Sequence, residues 1–241
     1  MRNPLYSISK RLARLKSFPQ LAERQGAFFL LDPSNWIDNR LLAHVPFESQ
    51  QLRFAGSLIT ERRIDHVIDI GANFGLYSVL LGRLPEIQVV HSFEPVRRNF
   101  NQLCGNIFSN RLDKKATLYN VALGLEEADV EIFIDPTSTG VSRLDLRFMD
   151  RDLRAFSDKE IVQVKRGDSI LKMTNQKVFV KIDVEGHTYN VLCGLSLFLN
   201  HNSGVFQIEA DHETDRVRDF MTEHGWNGFK NIGADFYFEK A

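Results

Sequence analysis

Val67-Ile68-Asp69-Ile70-Gly71-Ala72-Asn73-Phe74-Gly75 decides the fold. Its first four residues read as a strand buried on both faces, Gly71–Gly75 as a tight turn, and Gly75–Leu84 as the helix that follows. Glycine at 71 and 75 permits positive φ without a Cβ clash and lets backbone come close to a ligand. From His66 onward the same alternation recurs. Gln88–Phe93, Thr117–Ala122, Val178–Val184 and Val205–Glu209 read as strands, and Val96–Ser109, Thr188–Leu199 and Glu213–His224 as helices. Pro95 suits a first helical turn. Gln50–Arg63 reads as a helix leading into the first strand, Gly26–Leu31 as a short strand before it, and Gly228–Ile232 with Asp235–Glu239 as a closing hairpin. Such alternation builds an α/β, Rossmann-like fold with a mostly parallel sheet and helices on both faces.

The turn lies at the carboxyl end of its strand, where open α/β sheets bind ligands, and the helix beyond it presents free N–H groups. One βαβ length later, His91-Ser92-Phe93-Glu94-Pro95 puts a carboxylate at the end of the next strand, the place from which ribose hydroxyls are held. A dinucleotide loop carries G-x-G-x-x-G, whose second glycine makes room for a pyrophosphate; here Asn73 stands there, and Asp69 would repel a diphosphate. Both suit a ribose-bearing cofactor with a cationic amino acid end and no phosphate. S-adenosylmethionine has that chemistry, and a nicotinamide-dependent oxidoreductase is correspondingly disfavoured.

Four segments, Val67–Ser78, Phe93-Glu94-Pro95 with Leu103, Asn106 and Asn110, Asn120-Val121-Ala122-Leu123-Gly124, and Val180-Lys181-Ile182-Asp183-Val184-Glu185-Gly186, resemble the FkbM-type methyltransferases in order and spacing over about residues 45–210. The resemblance implies the class I S-adenosylmethionine-dependent fold, a seven-stranded sheet with a reversed final strand. It also implies transfer of a methyl group to a hydroxyl of a sugar, glycan or small metabolite. Carried over by position, Asp69, Gly71, Asn73 and Gly75 would surround the methionine part of the cofactor. Glu94 would hold the ribose, Ala122 within Asn120–Leu123 would border the adenine, and Glu48 would close over the site.

Asp183, Glu185 and His187 are the catalytic candidates. Alternation puts Lys181, Asp183 and Glu185 on one side of the extended chain. Either carboxylate could take the acceptor's proton. The pair, with Glu209, could bind a divalent cation. Or they could orient Lys181 and cap the next helix, with Gly186 making the turn. His187 has the right unperturbed pKa for a base, but a lone histidine at a helix start is more often a bystander. No His/Cys/Asp spacing matches a zinc site, and no metal is expected. A regulatory protein that keeps the pocket without catalysis would carry the same loop and the same Glu94.

Composition sets the outer bounds. The 241 residues are 43% hydrophobic and 25% charged, with net charge -1, which gives no non-specific grip on nucleic acid. Cys104 and Cys193 are too few for a disulfide framework and read as small apolar residues. No run approaches the roughly 18 apolar residues of a membrane span. No signal-peptide core follows the basic N-terminus, and the cytoplasm is expected. Leu5, Ile8, Leu12 and Leu15 fit an amphipathic helix. Residues 1–45 form an extension in this reading and 46–241 the methyltransferase domain. Within the latter, 129–165 is an insertion with strands at Val130–Ile134 and Ile161–Lys165, placed to cover a site.

Overall fold

The computed structural model describes residues 18–142, 156–210 and 213–241. The amphipathic reading of Leu5–Leu15 and the middle of the 129–165 insertion lie outside the described residues.

The alternation yields β3 (His66–Ile70), α3 (Leu76–Gly82), β4 (Val89–Phe93), α4 (Arg97–Ser109) and β5 (Ala116–Tyr119), then α5 (Gly167–Ile170), β9 (Lys177–Ile182), α6 (Thr188–Gly194), α7 (Ser196–His201), β10 (Ser203–Glu209), α8 (Thr214–Glu223), β11 (Asn227–Ile232) and β12 (Asp235–Lys240). Seven strands form one sheet in the order β11-β12-β10-β9-β3-β4-β5. The pairs from β10 through β9, β3 and β4 to β5 are parallel, whereas β12 runs antiparallel to both its neighbours. Only β12 is reversed, and it sits inside the sheet.

Period-2 alternation sends neighbouring side chains of each strand to opposite faces. Val67, Phe179, Val205 and Tyr237 join one apolar cluster with Leu52 and Ile59 of α2 (Ser49–Arg62), with α3, and with Leu103 and Ile107 of α4. Ile68, Val180, Ile182, Phe206 and Ile208 face a second cluster with Val191, Leu192, Phe198 and Met221. Both faces are thereby covered, as a parallel sheet requires.

Before this unit come a hairpin of β1 (Gln20–Arg24) and β2 (Ala27–Leu31), and helix α1 (Trp36–Leu42). Ala27, Phe29 and Leu31 point into the first cluster. Asn106 on α4, fully buried, receives the Leu30 N–H on its Oδ1 at 2.6 Å and donates from Nδ2 to the Phe74 carbonyl at 2.7 Å. One amide thus fastens the hairpin to the turn after β3. A three-stranded sheet, β6 (Ala122–Leu123), β8 (Asp158–Lys165) and β7 (Ala128–Ile134) in the order β6-β8-β7, stands beyond the strand ends.

Three local readings change. The run Thr117–Ala122 is two strands in different sheets, because Asn120 Nδ2 donates to the Glu94 and Pro95 carbonyls, each at 2.9 Å, and turns the chain away from β4. The helix expected over Thr188–Leu199 is two. The Asp168 carboxylate accepts from the N–H groups of Leu197 (3.1 Å) and Phe198 (2.9 Å), which caps a new helix start. Pro95 precedes its helix, whose N-cap is Val96. Among the described residues no helix is long and apolar enough to cross a membrane.

Replacing Asn106 by Ala should lower stability by about 2–4 kcal/mol, since both a buried donor and a buried acceptor lose their partner. Urea denaturation measures it, and a loss under about 0.5 kcal/mol would show that the hairpin is not held this way.

Candidate active site

A cleft of about 500 Å³ opens at the carboxyl ends of β3, β4, β9 and β10. Its floor is the turn after β3. The N–H groups of Gly71 and Ala72 bond the Phe93 carbonyl at 3.0 and 2.9 Å, and the Ile70 carbonyl receives the Asp183 N–H at 3.0 Å. Gly71 (φ +83°) is pressed against β9 so closely that a Cβ would lie 1.9 Å from the Asp183 carbonyl oxygen. At Gly75 (φ +90°) a Cβ would meet Leu103 Cδ1 at 2.5 Å. The two glycines therefore answer first to the protein's own packing, not only to a ligand's approach.

Asn73 also has positive φ (51°), and its N–H donates to Glu94 Oε2 at 2.8 Å. Glu94 Oε1 accepts from the Val96 N–H (2.9 Å) and from Asn99 Nδ2 (3.3 Å). The carboxylate thus ties the turn to the start of α4, and burial pushes its pKa up to about 7 against those hydrogen bonds. Asp69 is buried, with Oδ2 held by the N–H (2.9 Å) and hydroxyl of Ser78. Its pKa rises to about 6, again because burial outweighs the hydrogen bonds. Val121, Ala122 and Leu123 form an apolar wall.

The other half of the cleft is organised by Lys181, 1% exposed on β9. Its Nζ lies 2.9 Å from Asp235 Oδ1, 3.5 Å from Asp183 Oδ2 and 3.9 Å from Glu209 Oε2. Burial alone would lower the lysine's pKa; Asp183, Asp235 and Glu48 outweigh it and hold the ammonium charged well above the usual range. Gln207 Nε2 completes the network by donating to Asp235 Oδ1 (2.8 Å) and to the Tyr77 hydroxyl (2.9 Å). Lys181 and Asp183 do share a side, as alternation requires, and Glu185 also lines the cleft. His187 lines it too, at the start of α6, with Nδ1 3.2 Å from Asn190 Nδ2.

Glu48 lines the cleft, and what sequence reasoning does not give is its backbone and the arrival of Asp235. Glu48 occupies the left-handed region (φ 49°) as N-cap of α2 and makes no capping hydrogen bond with its side chain. That carboxylate instead meets Tyr77 and the Lys181 group; burial, with Asp183 adding and Lys181 opposing, raises its pKa to about 7. Asp235, distant in sequence, reaches the cluster through the antiparallel pairing of β12 with β10. The segment Asp135–Ser142, after β7, forms the outer wall and is fastened to the start of α1. Trp36 N–H donates to the Thr137 carbonyl (2.9 Å), and Asn35 Nδ2 to Thr139 Oγ1 (2.6 Å).

Among the described residues, Glu48, Asp69, Glu94, Asp135, Asp183, Glu185 and Glu209 line the cleft against one lysine and no arginine. That donor set opposes a phosphate and fits a ribose-bearing group with a positive centre. No three of the described His, Cys, Asp or Glu side chains are grouped to hold a metal ion.

The sheet order with its single reversed strand, and the turn and carboxylate at the ends of its first two parallel strands, define a class I methyltransferase fold. The chain belongs to the FkbM methyltransferase family: the methyltransferase FkbM domain matches residues 69–226. A crystal structure of methyltransferase FkbM from Methylobacillus flagellatus KT superposes with a TM-score of 0.52 at 15% identity, covering 98% of this chain and 58% of that one. The present chain thus spans little more than half of that protein's length. TYW2 of M. jannaschii, crystallised with AdoMet, superposes with a TM-score of 0.47 at 12% identity, covering 94% of this chain and 88% of the other. No curated protein matches the sequence.

The raised pKa of Glu94 fixes the sign of a pH effect. The folded state keeps a proton that the unfolded chain has released, so this group's stability contribution is full below about pH 4.5 and is lost as pH rises through about 7. Glu94→Gln should therefore flatten the fall of the melting temperature between about pH 5 and pH 8. Parallel pH dependences for parent and variant in thermal unfolding would sink this assignment.

Proposed function

We propose that the protein transfers a methyl group from S-adenosylmethionine to a hydroxyl of a sugar, glycan or small metabolite. The observation that carries the reading is the cleft lining, in which, among the described residues, a ribose-type carboxylate and a cluster of further carboxylates enclose one space with a single, already paired cation. Glu94 holds the ribose hydroxyls through lone pairs that remain on its oxygens beside the Asn73 bond. Asp69, Gly71, Asn73 and Gly75 shape the methionine end. Ala122 packs against the adenine, and Glu48 closes the cleft from the α2 side.

When bound, the cofactor supplies an electrophilic methyl carbon. The chain's residues do the rest: they hold the acceptor in line with it, exclude water and receive the hydroxyl proton. Asp183, Glu185 and His187 are the groups assigned to the acceptor side. A sugar hydroxyl is a weak nucleophile, and the carboxylates around Lys181 are what such an acceptor needs.

Calorimetry should show S-adenosylhomocysteine binding, weakened at least about tenfold by Glu94→Ala, which removes the charge-assisted bonds to the ribose. Binding of NAD with no binding of the homocysteine compound would overturn the reading. Labelled-methyl transfer into hydroxyl-bearing glycosides should then give a base-stable ether product, whereas label recovered only in amines or carboxyl esters would remove the hydroxyl assignment.

A further inference from the structure

We propose that Glu209, at the carboxyl end of β10, is the catalytic residue that removes the acceptor's hydroxyl proton, with Lys181 and Asp183 as positioning residues. The inference rests on the methyl-transfer reading above and goes beyond it by choosing among the three carboxylates paired with Lys181, Asp183, Glu209 and Asp235.

A base must reach the cleft and must not be neutralised by a fixed partner. Asp235 fails on both counts. Its side chain is 4% exposed, and its Oδ1 is bound by Lys181 Nζ at 2.9 Å and by Gln207 at 2.8 Å. Asp183 and Glu209 are both open to the cleft, with side chains 33% and 32% exposed. The ammonium holds Asp183 closer, at 3.5 Å, and stands 3.9 Å from Glu209. Glu209 is therefore the cleft carboxylate least tied to Lys181 among those it contacts.

The main charged groups around Glu209 act in opposite directions. Asp183 from the end of β9, Asp235 from β12 and Glu48 from the start of α2 raise its proton affinity, and Lys181 opposes them. The charge of Asp183 comes first, burial second, and the pKa reaches about 8. A carboxylate so placed accepts a proton far more readily than an exposed one. It acts as a base only in its ionised form, the minor one at pH 7, so the rate should rise with pH through about 8.

The step balances within the site. The acceptor O–H bond breaks and its proton passes to Glu209. The oxygen's electron pair forms the bond to the methyl carbon, and the pair of the breaking S–C bond returns to sulfur. The products are a methyl ether, a neutral thioether and a protonated Glu209, which gives its proton to water at the cleft mouth.

Two readouts on the full chain decide the assignment. Infrared-monitored titration should show a carboxyl group protonating near pH 8. That signal should vanish in Glu209→Gln and move down by about one pH unit in Asp183→Asn, where the neighbouring charge is removed. In labelled-methyl transfer to a mixture of methyl hexosides, Glu209→Gln should lower kcat by about 10²–10⁴-fold. Its affinity for S-adenosylhomocysteine should stay within about threefold of the parent. An unchanged titration in Glu209→Gln, or an unchanged kcat, overturns the base assignment while homocysteine-compound binding by the parent keeps the methyl-transfer reading intact. Absence of that binding in the parent overturns both. If Glu209→Gln alone fails to bind, Asp183→Asn decides: a shifted titration supports the proposal and an unshifted one defeats it. No transfer to the hexosides by a parent that binds S-adenosylhomocysteine overturns the base assignment for hydroxyl acceptors, whatever the titration shows.

Discussion

The ammonium of Lys181 is the interaction on which the rest of the site depends. It sits at 1% exposure beside Asp235, Asp183 and Glu209, which belong to three different strands or strand ends. Buried charge is costly unless it is paired, and removing one partner leaves the others uncompensated. Lys181 thereby lets β9, β10 and β12 bring acidic side chains together at one end of the sheet, where mutual repulsion would otherwise push them apart. The same pairing leaves the carboxylates unequal. Asp235 becomes structural, while Asp183 and Glu209 remain open to the cleft.

The turn after β3 follows a complementary logic. Gly71 is required because the backbone of β9 is in the way, and Gly75 because Leu103 is. Glu94 spends two hydrogen bonds on the protein's own backbone, at Asn73 and Val96, before any ligand arrives. The loop is thus preorganised: a ligand meets a turn already closed by its own carboxylate, and ordering it on binding costs little.

Much of this was legible in the sequence where the signal was local. The alternation of buried strands and helices predicted β3, β4, β9, β10 and the closing pair of strands, and the Gly71–Gly75 turn with Glu94 named one end of the cleft. What escaped was set at a distance. Asn120 ends β5 through bonds to the backbone after β4, and Asp168 starts α7 from 29 and 30 residues upstream of the groups it caps. The Thr117–Ala122 and Thr188–Leu199 patterns carry no mark of either. Glu48 is named by the family resemblance, but the left-handed backbone that carries it is not. The Lys-Ile-Asp-Val-Glu run announced its own acids but not Asp235, which only the pairing of β12 with β10 delivers.

The interior place of β12 has a consequence in time. During synthesis Lys181 and the strands around it leave the ribosome well before Asp235, which lies 54 positions later. At about 5–20 residues per second that interval is roughly 3–10 s. Throughout it the lysine lacks its nearest counter-ion, and over the second half, once Ser203–Glu209 has emerged, β10 offers a bare, apolar edge to the cell. The nascent chain is therefore exposed to mispairing just when most of its sheet already exists. A chaperone that shields β10 over those seconds would act on yield without touching the finished protein.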